Sequence, residues 1–281
     1  MIHTMNASVK TIFYIIAHAD DWQLFMNPDA FSDMNTAGNK VVFIVTTAGD
    51  AGTSECFWRA REAGMKESIK FCLSPFSTIV SECRLKEING VRFNVELFNN
   101  VSCYFLRLPD GGLDGNGFLS NDYQSLFKLR MGQVSGLISL DQSIIVKNWE
   151  HFSKILESVI TEESNGSSEI HLKYLNPKNA ANPDDHPDHR ATGDALLLGN
   201  YSGFCQSLFA GYGNLCQEML EPNDIFWKTG IFAAYDRSVF EACGYSTIGE
   251  NPELYQKWCT SRPVVEEIDG SPFINGKSLT I

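Results

Sequence analysis

The chain has 281 residues, 43% hydrophobic and 20% charged, with a formal net charge of −12, a globular composition with material for one large α/β domain or two small ones. The acidic balance argues against nucleic acid or anionic membrane as the main partner, because both reward a basic surface. No apolar run reaches the roughly 18 residues of a membrane helix, residues 1–10 lack a signal peptide's apolar core, and eight cysteines without a Cys-x-x-Cys pair suit free, buried thiols, so a reducing cytoplasm is the expected location.

Thr11 to Ala17 is an apolar run rich in Ile, Phe and Tyr and predicts a buried strand that ends at His18. Residues Asp21 to Met34 follow with an imperfect helical pattern interrupted by Pro28. Lys40 to Thr47 is a clearer strand and stops at Ala48-Gly49-Asp50-Ala51-Gly52. Ser54 to Leu73 reads as a helix, with Trp58, Ala60, Met65 and Ile69 among Arg, Glu and Lys. Pro75 to Asn100 is less regular, with a hairpin expected at Asn89-Gly90. Val101 to Leu108 predicts a strand ending in Pro109-Asp110-Gly111-Gly112, Trp149 to Thr161 a helix and Glu169 to Leu175 another strand. After a polar loop, Pro187 suits the first position of a helix running to about Tyr201. The apolar stretch from Trp227 to Tyr235, which contains Lys228, reads as a core strand. Strands alternating with helices predict an α/β fold, a mostly parallel sheet with helices on both faces. Without repeats or a clear linker the expectation is a single domain over 1–281, with a C-terminal extension after about residue 205.

Two short clusters, His18-Ala19-Asp20-Asp21 and His186-Pro187-Asp188-His189, hold three of the six histidines and fall beyond predicted strands, where ligands collect in such sheets. Imidazole and carboxylate are ligands for a divalent metal such as zinc, whose catalytic sites use three protein ligands and one open position. His18 and Asp21 can meet on one ion across a turn, and His189 can join them from the first turn of its helix. His186, three residues earlier, faces the same side, which leaves one histidine for the metal and one for the substrate. Asp20 projects differently from Asp21 and suits a general base acting on metal-activated water. His186 suits oxyanion stabilisation and proton donation to a leaving amine, with Asp188 holding its tautomer and favouring its charged form. These are the parts of a metal-dependent amide hydrolase, although either cluster alone also reads as a turn or a solvated helix start.

Five segments between residue 11 and about 200 resemble, in order and spacing, the PIG-L/LmbE-like deacetylase family. Ala17-His18-Ala19-Asp20-Asp21-Trp22 resembles its Ala-His-Pro-Asp-Asp-Glu, and Thr47-Ala48-Gly49-Asp50-Ala51-Gly52 its Thr-x-Gly-Glu-x-Gly. Arg59-Ala60-Arg61-Glu62 resembles Arg-x-x-Glu, Leu108-Pro109-Asp110-Gly111 matches Leu-Pro-Asp-Gly, and His186-Pro187-Asp188-His189 matches His-Pro-Asp-His. The resemblance implies a Rossmann-like fold and a zinc-dependent N-deacetylase acting on N-acetylglucosaminyl or related N-acetylated sugars. It assigns His18, Asp21 and His189 as metal ligands, Asp20 as base, His186 with Asp188 as electrostatic or acid partner, and Arg59 and Asp110 as substrate contacts. Ala19 stands where the family has proline and Trp22 where it has glutamate. Trp22 is expected to pack in the core, the alternative being a wall for a sugar ring.

Two other functions compete. The same site can serve a hydratase of small unsaturated acids, with Arg59 or Arg61 binding carboxylates, or a decayed site can leave a non-catalytic carbohydrate-binding relative. Gly49 to Gly52 lacks the P-loop pattern, so a nucleotide role is not expected. The expected partner is a small N-acetylated sugar, with room left for a homo-oligomer.

Overall fold

A computed structural model of the chain describes residues 9–212 and 215–270, in 215–217 the backbone alone. Residues 1–8 and the Cys216 thiol, on which expectations were stated above, lie outside it. The strands are β1 (Lys10–Ile16), β2 (Asn39–Thr47), β3 (Ser81–Ile88), β4 (Val91–Phe98), β5 (Val101–Leu108), β6 (Leu137–Ile138), β7 (Ile145–Val146), β8 (Glu169–Leu175), β9 (Cys205–Phe209), β10 (Leu215–Met219), β11 (Ser261–Pro263) and β12 (Val265–Ile268). The helices are α1 (Asp21–Phe25), α2 (Asp29–Asn35), α3 (Glu55–Leu73), α4 (Leu126–Arg130), α5 (Trp149–Glu163), α6 (Pro187–Leu196), α7 (Pro222–Cys243), α8 (Thr247–Glu250) and α9 (Pro252–Thr260).

Eight strands form one sheet in the order β12-β9-β8-β1-β2-β5-β4-β3. Its centre is parallel: β1 pairs with both β2 and β8, β2 with β5, and β8 with β9. The edges are antiparallel, where the β3–β4 hairpin turns at Asn89-Gly90 and β12 lies against β9. β1 is buried on both faces, which is why it reads as an unbroken apolar run. Ile12, Tyr14 and Ile16 join the core shared with α1, α2, α3, α7 and α9, while Phe13 and Ile15 join the core under α4, α5 and α6. Helices therefore cover both faces, as expected. The chain runs from β1 to β2, out to the edge at β3 and back through β4 to β5, then crosses to β8 on the other side of β1. That reversal opens a crevice beyond the carboxyl ends of β1 and β8, and both histidine clusters project there.

Pro28 divides the pattern after His18 into α1 and α2, since proline lacks a donor for the helix ladder. The run from Trp227 to Tyr235 is not a strand but part of α7. Its buried residues, Lys228, Ile231, Phe232, Tyr235, Asp236 and Val239, recur at three and four, the spacing of one helix face. The described cysteines are free, but only Cys72, Cys103 and Cys259 are buried, while Cys56 and Cys83 are exposed. Among the described residues no helix is long and apolar enough to cross a membrane.

Candidate metal centre

The turn after β1 is closed by Asp21. Its Oδ2 accepts the backbone N–H groups of Ala17 at 3.0 Å and His18 at 2.8 Å. With that oxygen committed to the turn, Oδ1 faces His18 Nδ1 at 3.5 Å and His189 Nε2 at 3.1 Å. Ala19 is accommodated in this turn, itself buried. His189 arrives from the first turn of α6, which begins at Pro187 with His186 as its N-cap. His18 Nδ1 and His189 Nε2 lie 3.1 Å apart.

This triangle of 3.1, 3.1 and 3.5 Å is a test of fit. Donors at roughly 2.0–2.1 Å around a tetrahedral zinc stand about 3.3 Å from one another, so two imidazole nitrogens and a carboxylate oxygen are already at coordination spacing. All three residues are buried. The protonation of the same groups points the same way. Burial works against charge on His189, yet the Asp185 and Asp21 carboxylates prevail and push it up to about 9. Burial likewise opposes charge on His18, and Asp21, Asp188 and Asp110 together outweigh it, holding the ring well above its ordinary value. Asp21 is drawn well below the carboxylate range by the two rings, against the effect of burial. Positive charge is stabilised where a cation would sit.

A second cluster, His18, Asp110, His186 and Asp188, shares His18 through its other ring nitrogen. Its separations are wider, 3.6 Å from His18 Nε2 to Asp188 Oδ2 and 3.8 Å from His186 Nε2 to Asp110 Oδ1. The first set is therefore the better cation cage, and the second forms the wall beside it. Here Asp188 does not hold the His186 tautomer with its carboxylate, as the sequence suggested. His186 Nδ1 accepts the Asp188 backbone N–H at 3.2 Å, which places the ring proton on Nε2. The Asp188 carboxylate is 3.9 Å from that Nδ1 and instead accepts the Gly111 N–H at 2.9 Å. Nor is His186 favoured in its charged form: burial, then the nearby charges of His18 and His189, push it well below its ordinary value.

Asp20 faces the neighbouring cavity, and its carboxylate is paired with the Arg61 guanidinium. Arg61 is held in turn, Nη1 donating to the Gly49 carbonyl at 2.6 Å and Nε to the Tyr235 hydroxyl at 2.9 Å. Arg59, named as a substrate contact from the sequence, is not brought to the site. It is half exposed, pairs with Glu55 at 2.6 Å and lies over the Trp58 ring. Asp110 does line the cavity, and Asp50 fixes its loop by accepting the Asp110 N–H at 3.0 Å. Trp22 is fully buried against Phe43 and does not line the cavity, so it packs rather than walls a sugar.

The cavity, about 220 Å³, is bounded by His18, Asp20, Arg61, Asp110 and His186, and by the rings of Phe57, Phe118, Tyr212, Tyr235, Tyr245 and Tyr255. Four of those rings come from beyond residue 205: Tyr212, Tyr245 and Tyr255 were not found from sequence, and Tyr235 was read there as part of a core strand. Arg61 had a readable signal: it lies on the α3 stripe that continues through Met65, Ile69 and Cys72, all buried, whereas Arg59 continues to the half-exposed Ala63 and Lys66.

Residues 13–198 match the family described as PIG-L: GlcNAc-PI de-N-acetylase. No curated protein matches the sequence. Among solved structures, N,N'-diacetylchitobiose deacetylase from Pyrococcus horikoshii is 16% identical, with a TM-score of 0.52 over 94% of this chain and 87% of that one. A zinc-inhibited form of teicoplanin deacetylase is 14% identical, with a TM-score of 0.47 over 88% and 90%. A 4-carboxy-2-hydroxymuconate hydratase from Pseudomonas putida is 10% identical, with a TM-score of 0.38 over 96% and 100%. At such identities the first of these bears on the fold alone, and the fold agrees.

Proposed function

The chain belongs to the PIG-L family, and from that premise we propose that it is a deacetylase that removes the acetyl group from an N-acetylated amino sugar, an N-acetylglucosaminyl compound or a close relative. The observation that carries this reading is the buried His18–Asp21–His189 triangle at coordination spacing beside a cavity that Asp20 and His186 face. Zinc suits two imidazoles and a carboxylate, and when bound it would supply Lewis acidity to the amide carbonyl and lower the pKa of the attacking water.

The chain's own residues supply the rest. Asp20 takes the proton of the attacking water as the new C–O bond forms, its carboxylate kept in place by Arg61. His186, with Nδ1 occupied by the Asp188 N–H, presents its Nε2 proton to the oxygen where charge develops. The proton held by Asp20 is then the one the departing amine needs as the C–N bond breaks. Asp110, on a loop held by Asp50 and by its own bond from the Gly112 N–H at 2.7 Å, offers an acceptor for sugar hydroxyls.

The lining also favours a neutral sugar over an unsaturated diacid. Arg61 is the cation among the described lining residues other than the histidines, and its three nitrogens are engaged by Asp20, Gly49 and Tyr235. Asp20 and Asp110 add negative charge, while the aromatic rings offer stacking faces for a sugar. A hydratase would need a free guanidinium for carboxylate recognition.

The test is acetate release from neutral N-acetylglucosaminides by zinc-loaded protein, with metal content measured in parallel. Asp20→Ala is expected to keep its metal and lose about 10²–10⁴ in kcat. A fully active Asp20→Ala would overturn the mechanism. Loaded wild type that releases no acetate, while hydrating an unsaturated acid, would overturn the deacetylase reading.

A further inference from the structure

We propose that Asp185 is the positioning residue of the metal centre, holding the His189 ring so that Nε2 offers its lone pair beside Asp21 and His18. The proposal rests on the reading of that triangle as a metal site. Asp185 Oδ1 accepts the His189 Nδ1 proton at 2.9 Å, and neither side chain is exposed at all. With Nδ1 committed to Asp185, Nε2 is the nitrogen left for a metal, and it is the atom 3.1 Å from both Asp21 Oδ1 and His18 Nδ1. Hydrogen bonding of a ligand imidazole to a carboxylate fixes its tautomer and orientation and raises its basicity.

Asp185 is itself anchored at both oxygens. Oδ1 also accepts the Tyr212 backbone N–H at 3.1 Å, and Oδ2 accepts the Asn182 side-chain amide at 2.6 Å. Asn182 is fully buried, and its own Oδ1 accepts the Gly211 N–H at 2.8 Å. Gly211 leaves the space the carboxylate fills: a Cβ there would stand 2.8 Å from the Asp185 Cγ. The Tyr212 ring then packs edge-on against His189, with centroids 5.2 Å apart. The loop before α6 and the segment after β9 thus grip one carboxylate and, through it, one imidazole. Trp22 brings no carboxylate to the centre from α1, and the one that reaches the outer nitrogen of His189 comes from this loop.

The experiment titrates chelator-stripped full-length protein with zinc against a chromogenic chelator, and with cobalt(II) as a spectroscopic probe. Asp185→Ala is expected to weaken zinc binding about 10–100-fold and to shift the cobalt absorption bands. Asp185→Asn should fall between it and wild type, because its amide oxygen still accepts the Nδ1 proton without the charge. Gly211→Ala, which alters neither His189 nor Asp185, should weaken binding by displacing the carboxylate. If Asp185→Ala does not fold, the Asn and Gly211 variants carry the comparison, with circular dichroism as the check. Wild-type zinc affinity and an unchanged cobalt spectrum in these variants would overturn the proposal while leaving the metal site standing. Wild-type protein that binds no zinc would overturn the metal-site reading and this proposal with it.

Discussion

Arg59 and Arg61 are two residues apart on α3, about 200° of helix rotation, and this decides what each can do. Arg61 is turned inward to Asp20, Gly49 and Tyr235, while Arg59 lies over Trp58 in solvent reach of Glu55. Arg61→Ala would strip a buried carboxylate of its partner, so we expect destabilisation of about 3–5 kcal/mol and a fall in kcat, read by urea unfolding and acetate release. Arg59→Ala should stay within about 0.5 kcal/mol of wild type and keep its activity; a large loss of turnover there would return Arg59 to the site. The motif match was ambiguous because Arg-x-x-Glu fixes a spacing but not a face. Lys228 makes a second case. It is 1% exposed, donates to the Ser261 carbonyl at 3.3 Å, and burial pushes it down to about 8. The unfolded chain therefore binds this proton more tightly, so the penalty is full below pH 8 and is relieved as pH rises from about 8 to 10.5. Lys228→Met should raise stability at pH 7 by about 1–3 kcal/mol and flatten that alkaline rise; an unchanged profile would contradict the assignment.

At the level of elements, the contact between α3 and α7 carries the site. Gly64 lets the helices approach: a Cβ there would stand 2.7 Å from the Tyr235 ring and 2.9 Å from the Tyr235 carbonyl oxygen. Tyr235 is the residue that accepts from Arg61 Nε, so helix packing and base positioning are one problem. Gly64→Ala is expected to cost about 1–3 kcal/mol through overpacking and to lower kcat with little change in zinc content. Unaltered turnover would show that Tyr235 can move without disturbing Asp20. Reading α7 as a strand failed for an identifiable reason, since a short continuous apolar run carries no period by itself. Its ends were the better guide: Pro222 at the first turn and Gly244 just past the last one mark a helix. The strands β1, β2, β5 and β8 were legible within a residue or so: β1, β2 and β5 because burial on both faces demands a mostly apolar run, and β8 because Ile170, Leu172 and Tyr174 alternate with polar His171 and Lys173.

Across the whole molecule, α7 and α9 share one core with β1, β2, α1 and α3, so residues beyond 205 are expected to belong to the same folding unit. Heating should give a single cooperative transition by circular dichroism and fluorescence, and a chain ending at 205 should not fold, because Ile12, Trp22 and Met65 would lose their cover. Two separate transitions would divide the C-terminal segment from the rest. The net charge of −12 also acts at this scale. With Asp20 and Asp110 facing the cavity, it should disfavour phosphorylated over neutral N-acetyl sugars, a preference that weakens as salt is raised.

The sequence by itself pointed to the parallel α/β sheet, the family and the two His/Asp clusters, because each is written locally, as an apolar run that ends at a polar turn or as a short motif. Tertiary structure alone decided which arginine reaches Asp20, that His189 meets His18 and Asp21, how the segment after β9 anchors Asp185, and that rings from Tyr212 to Tyr255 wall the cavity. Those pairings span up to 174 residues of chain, as between Arg61 and Tyr235. The physical reason is that helix rotation and crossover packing set which side chains share a space, and neither leaves a fixed spacing in the chain.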